Sequence, residues 1–303
     1  MSAAPAGWDS PGFGLPPAAE LVGPFPRRPF LEAWWRHRGR GEALVLSSPT
    51  ALLAACRLPD GAVELMGEAD LTDYHSPLGA GAADLVAGLL SSLAPGTYFR
   101  FDSLPEEAAA VVAAGAARAG VGAAGPEPHA VAVVLDLPAT YEEYLGGLDG
   151  KERHEVRRKR RRFEAAYGAA RLAPAFAEGL PAFAAMHRSA AGAKGGFLTG
   201  PMEAFFEDLL RMEGARLDLL SGADGVPVAA AFGFRDDRAY YLYNSAYDPA
   251  AAGASPGVVL VDLLVQQSIG AGLGRLDFLK GEEPYKYRLG GRARPLFVVE
   301  GRR

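Results

Sequence analysis

The chain has 303 residues, 49% of them apolar, and a formal net charge of −5. That length can bury one large core or two modest ones, and that apolar share excludes a disordered chain. The negative balance argues against a chain-wide nucleic-acid surface, and no apolar run is long enough to cross a bilayer. The single cysteine, Cys56, excludes an internal disulfide and suits a cytoplasmic, reducing setting.

Residues 1–28, dense in Pro and Gly, read as an irregular lead-in without the basic start and apolar centre of a signal peptide. A first domain is expected over 29–138. It opens with a helix from Pro29 to Arg38 carrying Trp34 and Trp35. The runs "ALVLS", "ALLAACRL" and "AVELMG" then read as strands, "GAADLVAGLLSSL" as a helix, and Thr97–Phe101 as an alternating strand. Ser103-x-x-Glu106, with Pro105 between, predicts a capping box opening a helix that reaches about Gly120. His129–Leu137 has the continuous apolar character of a buried strand.

A connector is expected over 139–170, with capping boxes at Thr140-x-x-Glu143 and Asp149-x-x-Glu152. The second opens a helix in which Lys151–Arg162 holds eight basic and two acidic residues. Val156, Phe163 and Tyr167 give it one narrow apolar seam, and the other faces are nearly all Arg. Such a run is either a solvated face or a grip for a phosphorylated partner.

A second domain is expected over 171–303, repeating the theme of the first. "PAFAAMHRSA" and "PMEAFFEDLLRMEG" read as helices, and "ARLDLLSG" and "VPVAAAFGF" as strands. A hairpin is predicted to turn at Asp236-Asp237 and to run on through Tyr240–Tyr243. An apolar helix from about Gly257 to Gly270 follows the loop "DPAAAGASPG", and "RLDFL" and "RPLFVVE" are the last strands. The whole is an α+β pattern.

Four stretches carry candidate chemistry. At the helix near 257, Ser255 suits a cap, Pro256 the first helical position, and Gly257 a close backbone approach, so free amides there attract phosphate or carboxylate. The stretch "LDFLKGEEPYKYRLGG" gathers Lys280, Glu282, Glu283, Tyr285, Lys286 and Arg288 just after a strand. Carboxylates there suit a general base, a tyrosine a proton donor, and the cations an anion clamp, unless the segment is only a solvated loop. Asp73, Tyr74 and His75 cluster in a turn-like setting, where Asp73 either caps the turn or binds an amine. The basic helix is the fourth. The five histidines show no paired spacing for a metal, and neither a Walker loop nor a nucleophile elbow occurs.

The order of "FLEAWWRHRG", "DLTDYHSPL", "VVLDLPATYEEYLGGLDGKERHEVRRKRRRFE" and "RLDFLKGEEPYKYRLG" resembles the BioF-like, CelD-like branch of the GNAT acyltransferase superfamily, related to the Fem aminoacyltransferases. The resemblance covers roughly Phe30 to Glu300 and implies tandem GNAT-like domains, each a mixed twisted sheet flanked by helices. It further implies that two parallel strands, around Ala239–Tyr247 and Arg275–Leu279, splay apart to admit an acyl thioester. The donor's pyrophosphate would sit on the helix tip at Ser255, Gly257 and Val258, with Tyr243 and Asn244 lining the slot. Glu282 or Glu283 is then the base, and Tyr285 or Tyr243 the proton donor to the leaving thiolate. Asp73, Tyr74, Asp277, Lys280, Lys286 and Arg288 are expected to meet the acceptor or the donor's phosphates. The stretch "AAGASPGV" departs from the usual GNAT phosphate loop. The implied activity is transfer from acetyl-CoA or another acyl-CoA to an amine or hydroxyl of a small or envelope-related acceptor, without a metal. A tRNA-dependent, Fem-like aminoacyl transfer is the alternative, and a catalytically silent scaffold a third.

Overall fold

The structure is a computed structural model, and it describes residues 4–5 and 7–303. In chain order its strands and helices begin with β1 (Ala4–Pro5), α1 (Arg28–Arg38), β2 (Glu42–Ser48), β3 (Ala51–Arg57), β4 (Val63–Leu65), α2 (Ala82–Ser92), β5 (Tyr98–Leu104) and α3 (Glu106–Ala119). Then come β6 (Gly122–Asp136), α4 (Tyr141–Gly147), α5 (Gly150–Tyr167), β7 (Arg171–Pro174), α6 (Leu180–Ser189), α7 (Ala193–Phe197) and α8 (Gly200–Leu210). The chain closes with β8 (Ala215–Ser221), β9 (Pro227–Arg235), β10 (Ala239–Tyr247), α9 (Pro256–Gly270), β11 (Arg275–Lys280), α10 (Pro284–Arg288) and β12 (Arg292–Arg302). Two compact units result. One takes the described residues up to Ala132 together with Arg294–Arg303; the other is Val133–Ala293.

In the first unit the strands lie in the order β1-β2-β3-β4-β5-β12. Strand β5 alternates as its sequence predicts, with Phe99 and Phe101 fully buried and Tyr98, Arg100 and Asp102 on the other face. Helices α2 and α3 pack closely because Gly115 has no side chain: a Cβ there would stand 2.5 Å from the Val86 Cβ. The lead-in has little regular structure, yet Phe13, Val22 and Phe25 are buried. Arg27 ties it down by donating to the carbonyls of Phe13 and Leu15.

The capping box expected at Ser103 does not form. Ser103 adopts a left-handed φ of 56°, its hydroxyl donates to Asp102, and Pro105 occupies the cap position without a side-chain bond. Thr140 and Glu143 do cap each other's backbone, and Asp149 caps α5.

The second unit orders its strands β11-β10-β9-β8-β7. Helix α9 is the centre of its core. Val259–Val265 are all buried, so the middle of the helix has no wet face, and its last turns expose Gln266 and Gln267. The segment expected as a connector belongs to this core: Val156 and Phe163 of α5 pack in the same cluster as Val259, Leu260 and Leu264. Residues 294–303 also depart from the expected border, since their pairing with β5 places them in the first unit.

Asp262 is the one charged residue on α9. It is buried, accepts from the Tyr141 hydroxyl at 2.5 Å and from Arg160 at 3.2 Å, and burial nonetheless holds its carboxyl above the ordinary aspartate range. A carboxyl raised in this way favours the folded state while protonated, and that contribution fades as pH rises through the raised value. Asp262→Asn should therefore gain on the wild type as pH goes from acid to neutral. Urea melts across that range check it; a variant that falls further behind the wild type as pH rises would contradict the assignment.

Each unit contains the same device. In the first, β4 runs through α2 into a parallel β5; in the second, β10 runs through α9 into a parallel β11. Both second strands carry a residue with left-handed φ near their end, Ser103 at 56° and Leu279 at 58°.

Candidate active site

The fork lies between β10 and β11. These strands pair in parallel at Ala239–Arg275, Tyr240–Leu276 and Tyr241–Asp277, and there the register ends. Strand β10 continues to Tyr247 and β11 to Lys280. On its other side β10 stays paired with β9, but the register slips between Leu242 and Asn244, so Tyr243 is a bulge residue. A bulge bends its strand and sharpens the local twist, which turns the end of β10 away from β11. The β10 backbone past Tyr241 thus has no β11 partner and offers open edge groups, as a slot for an extended ligand requires.

Beyond the end of β10, a 3-10 turn (Pro249–Ala254) leads to the tip of α9. Ser255 is at the cap position, but in left-handed backbone (φ 57°, ψ 46°) and with no side-chain cap bond. The expected hydroxyl cap is absent because this backbone turns the side chain away from the tip. The amides of Val258 and Val259 turn back to the Ser255 carbonyl, and Pro256 has no N–H, so Gly257 presents the remaining amide. Space in front of Gly257 is open: a Cβ there would meet only the Tyr247 ring, at 3.7 Å. Tyr247 itself is 42% exposed.

The segment after β11 folds differently from a solvated loop. Lys286 is 2% exposed, and its ammonium donates to the carbonyls of Lys280 and Gly281 at 2.7 and 3.0 Å while pairing with Glu283 at 2.9 Å. It is a clamp on the end of β11, not a free cation awaiting a substrate, because three donors on one buried ammonium are drawn to the nearest carbonyls. Glu282 is exposed and accepts from the Tyr287 hydroxyl. The Tyr285 ring packs edge-on to Phe278, and burial beside Glu283 pushes its phenol up to about 12. Asp277 is fully buried and accepts from the Leu279 amide, a bond that supports the left-handed turn at Leu279. Lys280 ends β11 half-buried, and Arg288 is exposed.

Asp73 and Tyr74 lie in the first unit. Tyr74 is fully buried there, under the Arg294 guanidinium at 4.8 Å and near Phe25. Its ring is part of a core, and the turn-like setting expected for it is buried, as packing of a large ring demands.

One residue at the fork escaped the sequence reading. His187 on α6 is 1% exposed and donates from Nε2 to the Asn244 Oδ1 at 2.8 Å, directly beside the bulge. Its ring stacks edge-on with Phe183, one helical turn earlier. Phe206, Phe232 and Phe234 then surround the Tyr243 ring. The available signal was a histidine at i+4 from a phenylalanine on an apolar helix face, a pattern that ordinary core histidines share.

Residues 150–287 match the family model described as "Acetyltransferase (GNAT) domain". No curated protein matches the chain in sequence. Among solved structures, FemX is similar over 99% of this chain and 97% of its own, at TM-score 0.65 and 10% identity. The L-PGS of Bacillus licheniformis is similar over 94% of each chain, at TM-score 0.58 and 15% identity. The C-terminal domain of a putative lysylphosphatidylglycerol synthetase from Agrobacterium fabrum follows, over 89% of this chain and 90% of its own, at TM-score 0.56 and 13% identity. Residues 150–287 thus match a GNAT acetyltransferase domain, and the forked parallel strands sit in a GNAT-like, Fem-related α+β fold.

Proposed function

We propose that the chain is a cytosolic acyltransferase of the BioF-like, CelD-like branch. It moves an acyl group from acetyl-CoA or another acyl-CoA to the amine or hydroxyl of a small or envelope-related acceptor. The parting of β10 from β11 after Tyr241–Asp277 carries this reading, because it leaves backbone free along the slot where a thioester arm would lie. The donor's phosphates rest on the Gly257 amide at the open tip of α9, whose dipole favours anions; Val258, whose amide is already bonded to the Ser255 carbonyl, offers no donor. In the ternary complex the acceptor amine attacks the thioester carbonyl, and the carbon–sulfur bond then breaks with the thiolate leaving. Glu282, exposed at the start of the post-β11 turn, takes the amine's proton, and Tyr243 gives one to the thiolate. Tyr285 keeps its proton and acts as a hydrogen-bond donor only. Lys286 and Glu283 hold the turn in shape. No covalent enzyme intermediate is involved.

A second reading is favoured by α5. Arg153, Arg158 and Arg160 are tied to its own unit, by the carbonyls of Leu145 and Gly146, by Glu155, and by Glu164 with Asp262. Lys151, Arg157, Arg161 and Arg162 are exposed without a carboxylate partner among the described residues. That stripe suits a tRNA backbone, and with it an aminoacyl-tRNA donor of the Fem kind. Thermal shift separates the two. Acetyl-CoA should raise Tm in a concentration-dependent way. No coenzyme effect, together with salt-sensitive binding of charged tRNA, would replace the first reading by the second.

A further inference from the structure

The first unit holds a cavity of about 640 Å³ that the transferase reading does not use. Its wall joins the end of α1, the turn between β3 and β4, and the residues just after β4. That volume lies within the range of small-molecule sites, which runs from about 300 to 1,000 Å³.

Its charges are unevenly matched. Two guanidiniums line it, and Arg38 is already paired with Glu68 at 2.8 Å. Asp60, Glu64 and Asp70 remain, against Arg40 alone. Glu64 is the distinctive one. It is half-buried on β4, directly across from Cys56 on β3 and from Arg100 on β5. Its carboxylate takes no hydrogen bond from the described residues. Burial first, and then the charge of Asp102, hold that carboxyl above its ordinary range, against the weaker opposing pull of His75 and Arg100. Cys56 on the wall is buried, and its thiol is pushed up to about 12 by burial and by Glu64, so it contributes no charge. A cation arriving at this carboxylate would stabilise its charged form against both burial and the charge of Asp102.

A second, independent observation concerns Trp34. It forms part of the same wall and is 4% exposed, yet its indole N–H finds no acceptor among the described residues. Buried indole N–H groups normally have a partner, and an unmade bond costs about 1–3 kcal/mol. The ring beside an acidic wall also suits a cation.

We propose that this cavity binds a small molecule through a primary ammonium group, with Glu64 as counter-ion and Trp34 as the aromatic wall that donates to a neighbouring oxygen of the ligand. An amino sugar or amino alcohol fits both demands. The proposal does not rest on acyl transfer, and its test contains no acyl donor.

Calorimetric titration of the full chain with glucosamine and with glucose provides that test. Glucosamine should bind at least about tenfold tighter, since the two differ by one ammonium-for-hydroxyl exchange. Glu64→Gln, which keeps the side-chain shape, should abolish the preference. Trp34→Phe should weaken glucosamine but not cadaverine, which has no oxygen to accept the indole N–H. Equal binding of glucose and glucosamine by the wild type, or no binding of any of the three, overturns the proposal. A folded Glu64→Gln protein that still prefers the amine does so too. The wild-type comparison decides even if a variant fails to fold.

Discussion

Gly257→Asp is expected to weaken acetyl-CoA binding by about tenfold to a hundredfold while leaving the protein as stable as before or slightly more so. Both halves follow from one position. The aspartate Cβ has room, because only the Tyr247 ring comes near, at 3.7 Å. Gly257 sits in the first turn of the fifteen-residue α9, whose first turn holds no acidic residue. An acid there favours the helix, by about 0.3–1 kcal/mol at an exposed site. The same charge opposes a pyrophosphate docked on the tip: two like charges about 4 Å apart near a protein surface repel by about 4 kcal/mol before salt screening. Calorimetry with acetyl-CoA and a thermal melt measure the two halves separately. A stable variant that binds the coenzyme as the wild type does would show that the donor's phosphates lie elsewhere.

Lys286→Met should destabilise the protein by about 2–4 kcal/mol, the range for breaking a buried, hydrogen-bonded charge. Methionine has the length and the apolar stem of lysine but no ammonium. The carbonyls of Lys280 and Gly281 lose a donor, and Glu283 loses its ion partner. Because Glu283 is 56% exposed, most of the loss comes from the carbonyls and little from the ion pair. The left-handed turn at Leu279 loses the clamp beside it. Urea unfolding gives the number, and a wild-type midpoint would mean that water takes over the carbonyls. Loss of activity in this variant would not by itself identify a catalytic lysine, since the rim of the slot changes shape with it. Glu282→Gln is the cleaner probe of chemistry, because its only described side-chain bond is to the exposed Tyr287.

Much of the element order was legible from pattern alone. The alternation in β5, the Asp236 turn and the largely apolar α9 each follow from local spacing, and local spacing is what a sequence displays. Caps were legible where the geometry is purely local, as at Thr140 with Glu143. They failed at Ser103 and Ser255, because tertiary context forces both into left-handed backbone, and there the hydroxyl cannot reach the helix amides.

The candidate site divides in the same way. That the stretch after β11 is special was readable from its density of polar and aromatic residues. Which of them face a ligand was not. Lys286 and Glu283 look alike on paper to any catalytic pair, but burial makes one a clamp and the other its counter-ion. His187 stands 57 residues before Asn244 and meets it only because α6 packs over the bulge of β10. Tyr74 went the opposite way, from a turn-like setting in the sequence into a core.

By itself, then, the chain's order of residues specified an α+β protein, the positions of nearly all strands and long helices, and a GNAT-like motif near its end. Periodicity and capping act over one or two turns, so they survive in one dimension. Tertiary structure alone decided where β10 leaves β11, which amide stands open at the tip of α9, and which charges are already paired. Those depend on a bulge, on backbone sign and on partners far away in sequence, and only packing brings them together.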